Sequence, residues 1–310
     1  MAVRGAHART AFGSRTISTE VLLIGAVTVW AFNFPAAKYA LTHGFSPLAY
    51  AAPRFVVAGL VLGLIMFARE RTLRVRRSDV PLLVGAAIVG IFLQQLTFVY
   101  ALRLTGAATV ALLFGVAPIL IGIVAHLSGR EHLSPRSWSG AALSFVGVAL
   151  VASGVGGGLL SVGVGGILLG LATAATFAVF SVAVMPLVTE YSPYRLTAVI
   201  TLIGTPPLLA FAVPQLAQQD WSAIGLLAWL AFLYSIVAYV LGFMVWFAAI
   251  EGVGPSTAAL YSNLEPFLAA IFAVIVLSEH LSLFQVFGGA IIAAGIFIAR
   301  QSRPQFPLAE

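Results

Sequence analysis

The chain has 310 residues, 61% of them apolar and only 8% charged, and it contains no cysteine. Soluble domains carry about a quarter charged residues, so the soluble classes are excluded, and disulfides, thiolate metal sites and cysteine nucleophiles are excluded with them. The net charge of +6 is carried by arginines set between apolar stretches rather than along one stripe, so membrane topology accounts for it and a nucleic-acid partner does not.

In chain order, residues 1–16 form a basic cytoplasmic tail with Arg4, Arg9 and Arg15. The apolar run from Ile17 to about Leu41 is too long for the core of a signal peptide and contains Asn33, Pro35 and Lys38, so it is an uncleaved first span. Apolar runs bounded by turn and charge signals place further spans at 47–68, 80–101, 105–127, 137–153, 163–187, 194–214, 222–248, 255–277 and 283–300. A first half over 17–153 and a second over 163–300 are joined by a glycine-rich linker, 154–162, and a tail follows at 301–310. Thirteen of the sixteen basic residues fall in segments on the side of the N-terminus, Arg103 falls on the opposite side, and Lys38 and Arg54 lie within or near spans. This asymmetry puts both termini in the cytoplasm and requires an even number of spans, which ten satisfies.

Several polar residues inside spans are candidates for a transport pathway. Trp30 and Asn33 share a face of span one, and Pro35 removes a hydrogen bond beside them. Lys38, the sole lysine, either attracts a substrate carboxylate or snorkels to the interface. Arg54, about two turns into span two, either pairs with Glu265, binds an anionic substrate group or snorkels outward. Gln94 and Gln95 sit mid-span in the third helix and either bridge helices or line the pathway. Span eight offers Ser235, Tyr239 and Trp246 on one face, with Tyr234 beside them. In span nine Thr257, Tyr261 and Glu265 share a face. Glu265 is the one acidic residue deep in a span, where a carboxylate costs about 2.5–3.5 kcal/mol and faces a cavity or a partner. It is the candidate for proton coupling or for meeting a substrate amine. Pro118 and Pro266, within spans four and nine, are candidate bends for gating.

The sequence repeats itself. Residues 101–151 align without a gap on 249–299, with 16 identities in 51 positions. Pro118 matches Pro266, Gly140 matches Gly288, Gly147 matches Gly295, and Glu131-His132-Leu133-Ser134 recurs as Glu279-His280-Leu281-Ser282. Five spans per copy is odd, so the copies sit in the membrane in opposite orientation, an arrangement typical of alternating-access transporters.

These residues resemble the ten-span EamA-type branch of the drug/metabolite transporter superfamily. The resemblance rests on Trp30-Ala-Phe-Asn33-Phe, on Pro118 followed by Glu131-His-Leu-Ser and Gly140, and on Glu265-Pro266 followed by Glu279-His-Leu-Ser and Gly288, and it covers about residues 20–300. It implies an all-α integral membrane fold and export of small metabolites from the bacterial inner membrane. Amino acids, including aromatic ones, are the best match, and cationic drugs are the alternative. A passive channel is a more distant reading. An enzyme is disfavoured because no cluster of deep His, Asp or Glu, no G-x-S-x-G and no P-loop occurs. The expected partners are a small-molecule substrate and the bilayer, without ATP, nucleic acid or cofactor, and a monomer suffices. The pathway is expected among spans 1, 3, 4, 6, 8 and 9.

Overall fold

The computed structural model describes residues 12–72, 74–154, 162–253 and 261–300. The sequence-predicted tails, most of the linker and Thr257 lie outside the described residues. Every regular element among those described is helical. In chain order these are α1 Phe12–Thr42, α2 Pro47–Glu70, α3 Arg77–Leu104 and α4 Ala107–Leu127, and α5 Pro135–Ser153. There follow α6 Val162–Val188, α7 Pro193–Gln218, α8 Leu226–Val253, α9 Glu265–Leu277 and α10 Leu283–Arg300.

Seven of them, α1 to α4 and α6 to α8, contain a stretch long and apolar enough to cross a membrane, while α9 and α10 are shorter apolar helices. Seven of the ten expected spans meet that measure, and the residues show why others fall short of it. The first turns of α5 carry Arg136, Ser137 and Ser139, which dilute its apolar length. The start of the ninth predicted span, 255–260, lies outside the described residues, and a turn at Asn263–Leu264 precedes α9.

Serine–proline pairs start three of the helices. Ser46, Ser134 and Ser192 occupy the N-cap, each with proline at the following position, where the missing N–H costs nothing. The hydroxyls of Ser134 and Ser192 accept from the Ser137 and Arg195 amides at 3.1 Å.

The helices alternate between two ends of the bundle. One end gathers the connections 43–46, 105–106, 219–225 and 278–282, tied by Ser46 N–H and hydroxyl donating to Gln219 Oε1 at 2.8 Å. There Glu279 accepts from the Ala107 and Ala108 amides at 2.7 and 2.9 Å. The opposite end gathers 71–76, 128–134 and 189–192, where Tyr191 accepts from the Arg76 amide at 2.9 Å and donates to Asp79. Arg69, Arg71, Arg74, Arg76, Arg77, Arg130, Arg136 and Arg195 belong to this second end. Both ion pairs among the described residues, Arg76–Glu190 and Arg195–Glu70, form there. Large apolar side chains such as Leu64, Ile275 and Phe297 stay exposed on the flanks, as a lipid-facing surface requires.

The principal packing pairs are α5 with α10, α1 with α8, α2 with α7, α3 with α6, α1 with α9, α4 with α9 and α6, and α3 with α7, which is matched by α2 with α8. Exchanging α1–α5 for α6–α10 maps this set onto itself: α1–α8 becomes α6–α3, α1–α9 becomes α6–α4, and the pairs α2–α7, α4–α9 and α5–α10 return to themselves. The α5–α10 contact runs antiparallel. A Cβ on Gly140 would lie 2.5 Å from Gly295 O, and one on Gly147 would lie 2.6 Å from Gly288 O. Only glycine permits this backbone approach, a small-residue packing common between membrane helices.

Candidate functional site

A chain of polar side chains crosses the interior between α2, α3, α7 and α8. Arg54, on α2, is 3% exposed. Its Nη2 donates to Gln95 Oε1 at 2.5 Å, and Gln95 Nε2 donates in turn to Gln94 Oε1. One turn before Arg54, Tyr50 is fully buried and shares a hydrogen bond with the Ser235 hydroxyl of α8. The guanidinium carbon lies 5.2 Å from the centroid of the Tyr50 ring and 4.9 Å from that of Phe55, close enough for cation–π attraction. Tyr239, one turn after Ser235, sets its ring 4.9 Å from Phe55 and its hydroxyl 3.0 Å from that of Thr201 on α7. The expected residues Gln94, Gln95, Ser235 and Tyr239 are therefore brought together, around an arginine and beside α2 and α7, two helices absent from the expected pathway. Arg54 does not pair with Glu265, since neither described ion pair includes it.

Local backbone geometry sets this arrangement. Residues Ile88–Leu93 form a π-helical turn that ends at Gln94, and such turns recur at functional sites. The turn sits where α3 meets both α6 and α7: a Cβ on Gly90 would strike the Phe180 ring of α6, and one on Gly204 of α7 would lie 2.5 Å from Ile91 Cβ.

The other expected residues fall in separate places. Trp30, Tyr234 and Trp246 form the α1–α8 interface: the Trp30 ring lies 5.3 Å from those of Trp246 and Phe243, and Tyr234 donates to Val29 O at 2.8 Å. Gly242 makes room for the Trp30 indole. Lys38 neither snorkels nor faces the polar chain; its ammonium caps the end of α3 by donating to Leu102 O and Thr105 O at 2.6 and 2.9 Å. Tyr261 hydrogen-bonds to Glu20 of α1. Glu265 opens α9, where the helix dipole favours a carboxylate; it is half-buried and makes no hydrogen bond with a described side chain or backbone group. Asn33 Oδ1, on α1, is buried without a partner.

Pro118 and Pro266 occupy matching positions. Each sits in the first turn of a helical half that follows a break, at Gly115–Val116 in α4 and just before α9. The two breaks touch, since a Cβ on Gly115 would lie 3.5 Å from the Pro266 ring. A shallow cavity of about 330 Å³ at the end bearing 43–46 is lined by Gly44, Ser46, Gln215, Gln218, Gln219, Asp220 and Ala223. Gln215 and Gln219 there are engaged in holding α2 to α7. Among the described residues no group of three or more His, Asp or Glu side chains is placed to hold a metal.

The profile of the EamA-like transporter family matches residues 17–153 and again 164–301. The chain belongs to the EamA-like transporter family. It is accordingly a multi-pass membrane transporter of the drug/metabolite transporter superfamily. An uncharacterized transporter of Archaeoglobus fulgidus is 27% identical over 93% of this chain and 99% of its own length. One from Bacillus subtilis is 27% identical over 91% and 93%. A probable terminal-alkyne amino-acid exporter of Streptantibioticus cattleyicolor is 27% identical over 89% and 91%. A solved protein crystal structure shares the fold, with a TM-score of 0.61 at 20% identity, covering 94% of this chain and 99% of that one.

In this EamA-like transporter, sequence reasoning left Tyr50, Phe55 and Thr201 out of the site. The available signal was the spacing of Tyr50 and Arg54, i and i+4 on a helix, which puts a hydroxyl and a buried cation on one face.

Proposed function

We propose that the protein is a secondary exporter of small amphipathic metabolites, with amino acids, including aromatic ones, as the preferred class. It works by alternating access between two inverted five-helix halves, 17–153 and 163–300, in a bacterial inner membrane with both termini cytoplasmic. The observation that carries this reading is the packing set that survives exchange of the halves, combined with antiparallel contact between the matching helices α5 and α10. Two equivalent halves related in this way support two equivalent openings, one at each face. The concentration of arginine at the end bearing 71–76 supports its cytoplasmic placement. The amino-acid class is supported by the printed name of the Streptantibioticus cattleyicolor relative.

The substrate binds at Gln94, Gln95, Ser235 and Tyr239, its route passes Trp30, Asn33, Tyr234, Trp246, Tyr261 and Glu265, and the touching breaks before Pro118 and Pro266 bend as the halves exchange. Glu265 carries the coupled proton. Its lack of a partner also favours a second reading, efflux of cationic compounds, because a carboxylate inside the bundle attracts a cation.

The deciding experiment is uptake into proteoliposomes containing purified protein, with a set of radiolabelled amino acids and, in parallel, a cationic dye. Saturable amino-acid uptake that is accelerated by the same amino acid loaded inside is expected. Dye movement alone selects the second reading, and non-saturable flux without acceleration selects a channel. Glu265→Gln is expected to flatten the pH dependence of uptake; wild-type rate and pH profile would rule out proton coupling at this residue.

A further inference from the structure

We propose that Arg54 docks the carboxylate of the transported compound, so that the substrates are monocarboxylates, zwitterionic or anionic, rather than cations; this rests on the exporter reading above. Arg54 is buried to 97% by its 3% exposure, in a helix that runs through the apolar interior. A charge in that setting is expensive and is normally matched by an opposite charge. Here its neighbours are neutral: one amide oxygen from Gln95, the Tyr50 hydroxyl, and the faces of two rings.

The described carboxylates are committed elsewhere or stand apart. Glu70 and Glu190 pair with Arg195 and Arg76. Glu20 bonds to Tyr261, Asp79 accepts from Tyr191, Glu279 caps α4, and Asp220 accepts from Ser222. Neither Glu131 nor Glu265 forms an ion pair with it. The guanidinium also keeps one N–H, at Nε, buried and without an acceptor. Buried donors are rarely left unfilled. A guanidinium edge is shaped to receive a carboxylate.

The surroundings fit the rest of such a molecule. The Tyr50 and Ser235 hydroxyls and the Gln94–Gln95 amides offer further polar contacts within the same chain of hydrogen bonds. The Phe55 and Tyr239 rings offer an apolar face. Residues of both halves contribute, so a carboxylate held here sits between the parts that move. A dianion such as phosphate is disfavoured, because Arg54 is a single charge and Lys38 is bound to helix carbonyls.

The test is uptake of labelled L-phenylalanine into proteoliposomes, competed by four matched probes: 3-phenylpropionate, phenylalaninamide, phenethylamine and inorganic phosphate. The carboxylate is expected to compete, and the amide, the amine and phosphate are not. Arg54→Gln should raise the phenylalanine concentration for half-maximal uptake about ten- to hundredfold, the range for losing a charged hydrogen-bond partner. Arg54→Lys, which keeps the charge, should recover part of it. The wild-type competition series needs no variant to fold. Equal competition by the amide or amine overturns the carboxylate assignment while the exporter reading stands, as does equal competition by phosphate. Absence of saturable uptake of both labelled phenylalanine and, in a parallel run, labelled phenethylamine overturns the exporter reading, and this inference with it.

Discussion

Removing the Glu279 carboxylate should unfasten one end of the bundle. The first residue of α4 follows Gly106, an N-cap without a side chain, so the local sequence offers nothing to the first amides of that helix. Glu279 supplies the missing acceptor from 172 positions away, taking the Ala107 and Ala108 amides at 2.7 and 2.9 Å. Loss of an ordinary cap costs about 1 kcal/mol, a hydrogen bond to a charged group contributes about 1.5–3 kcal/mol, and the helix dipole adds about 0.3–1 kcal/mol. For two bonds at a helix end within reach of water, about 3 kcal/mol for Glu279→Ala is a fair figure on those values. Glu279→Gln keeps one acceptor oxygen and loses the charge, which halves the cost to about 1.5 kcal/mol. At about 2–4 °C per kcal/mol, the alanine variant should melt roughly 6–12 °C below wild type in detergent micelles. Gly106→Ala reaches the same contact from the other side, because the new Cβ would lie 2.8 Å from Glu279 Oε2 and push the carboxylate off its amides. The two substitutions should therefore be non-additive in a double-mutant cycle. A Glu279→Ala melting temperature within about 1 °C of wild type, or strict additivity with Gly106→Ala, would refute the reasoning.

Three more outcomes are expected. Gly147→Ala, whose Cβ would lie 2.6 Å from Gly288 O, should cost more than about 3 kcal/mol and abolish a monodisperse size-exclusion peak, while Gly85→Ala, with nothing within 4 Å, should be neutral or stabilise by up to about 1 kcal/mol. Arg195→Ala should lower stability by about 1–2 kcal/mol in a thermal melt, because Glu70 then loses its guanidinium, including the Nε bond of 2.8 Å. The Ser222 hydroxyl and the Ala223 and Ser222 amides hold the Asp220 carboxyl below its usual range. A depressed carboxylate stabilises above its ordinary value of about 4 and loses that contribution as pH falls through the lower folded value. Hydrogen-exchange protection of the Ser222 and Ala223 amides should thus drop on acidification to pH 3 and be restored on return to neutral pH.

Hydropathy was enough to read most of the helices, because the length of an apolar run is a property of neighbouring residues. Gln94, Gln95, Ser235 and Tyr239 were legible for the same reason, being polar residues at the wrong depth for lipid. The π turn at Ile88–Leu93 and the break at Gly115–Val116 were not, since an apolar run reads alike whether its hydrogen bonds skip four residues or five. Lys38 was weighed as a substrate contact or a snorkelling cation, yet it bonds carbonyls 64 and 67 positions away. No local pattern announces such a partner. Arg54 was likewise open among three roles until its neighbours from α3 and α8 were in place. The matched tetrapeptides marked Glu279 as special without revealing that its partner lies in the other half of the chain.

The wide turn of α3 carries one more consequence. A π turn holds one residue more than an α turn, so it acts as a stored insertion in the middle of a helix. Deleting one residue of 88–93 would let the helix close to ordinary spacing while the residues after it keep their faces, whereas a deletion in the regular turns of α3 would rotate everything after it by about 100°. A deletion of the second kind just before Gln95 would turn that residue away from Arg54, Tyr100 away from Gln215 of α7 and the end capped by Lys38 out of step with α1. The connections at 71–76 and 219–225 can change length without such an effect. The one turn of this span that can give up a residue without rotating the rest is therefore one that its uniform hydropathy does not mark.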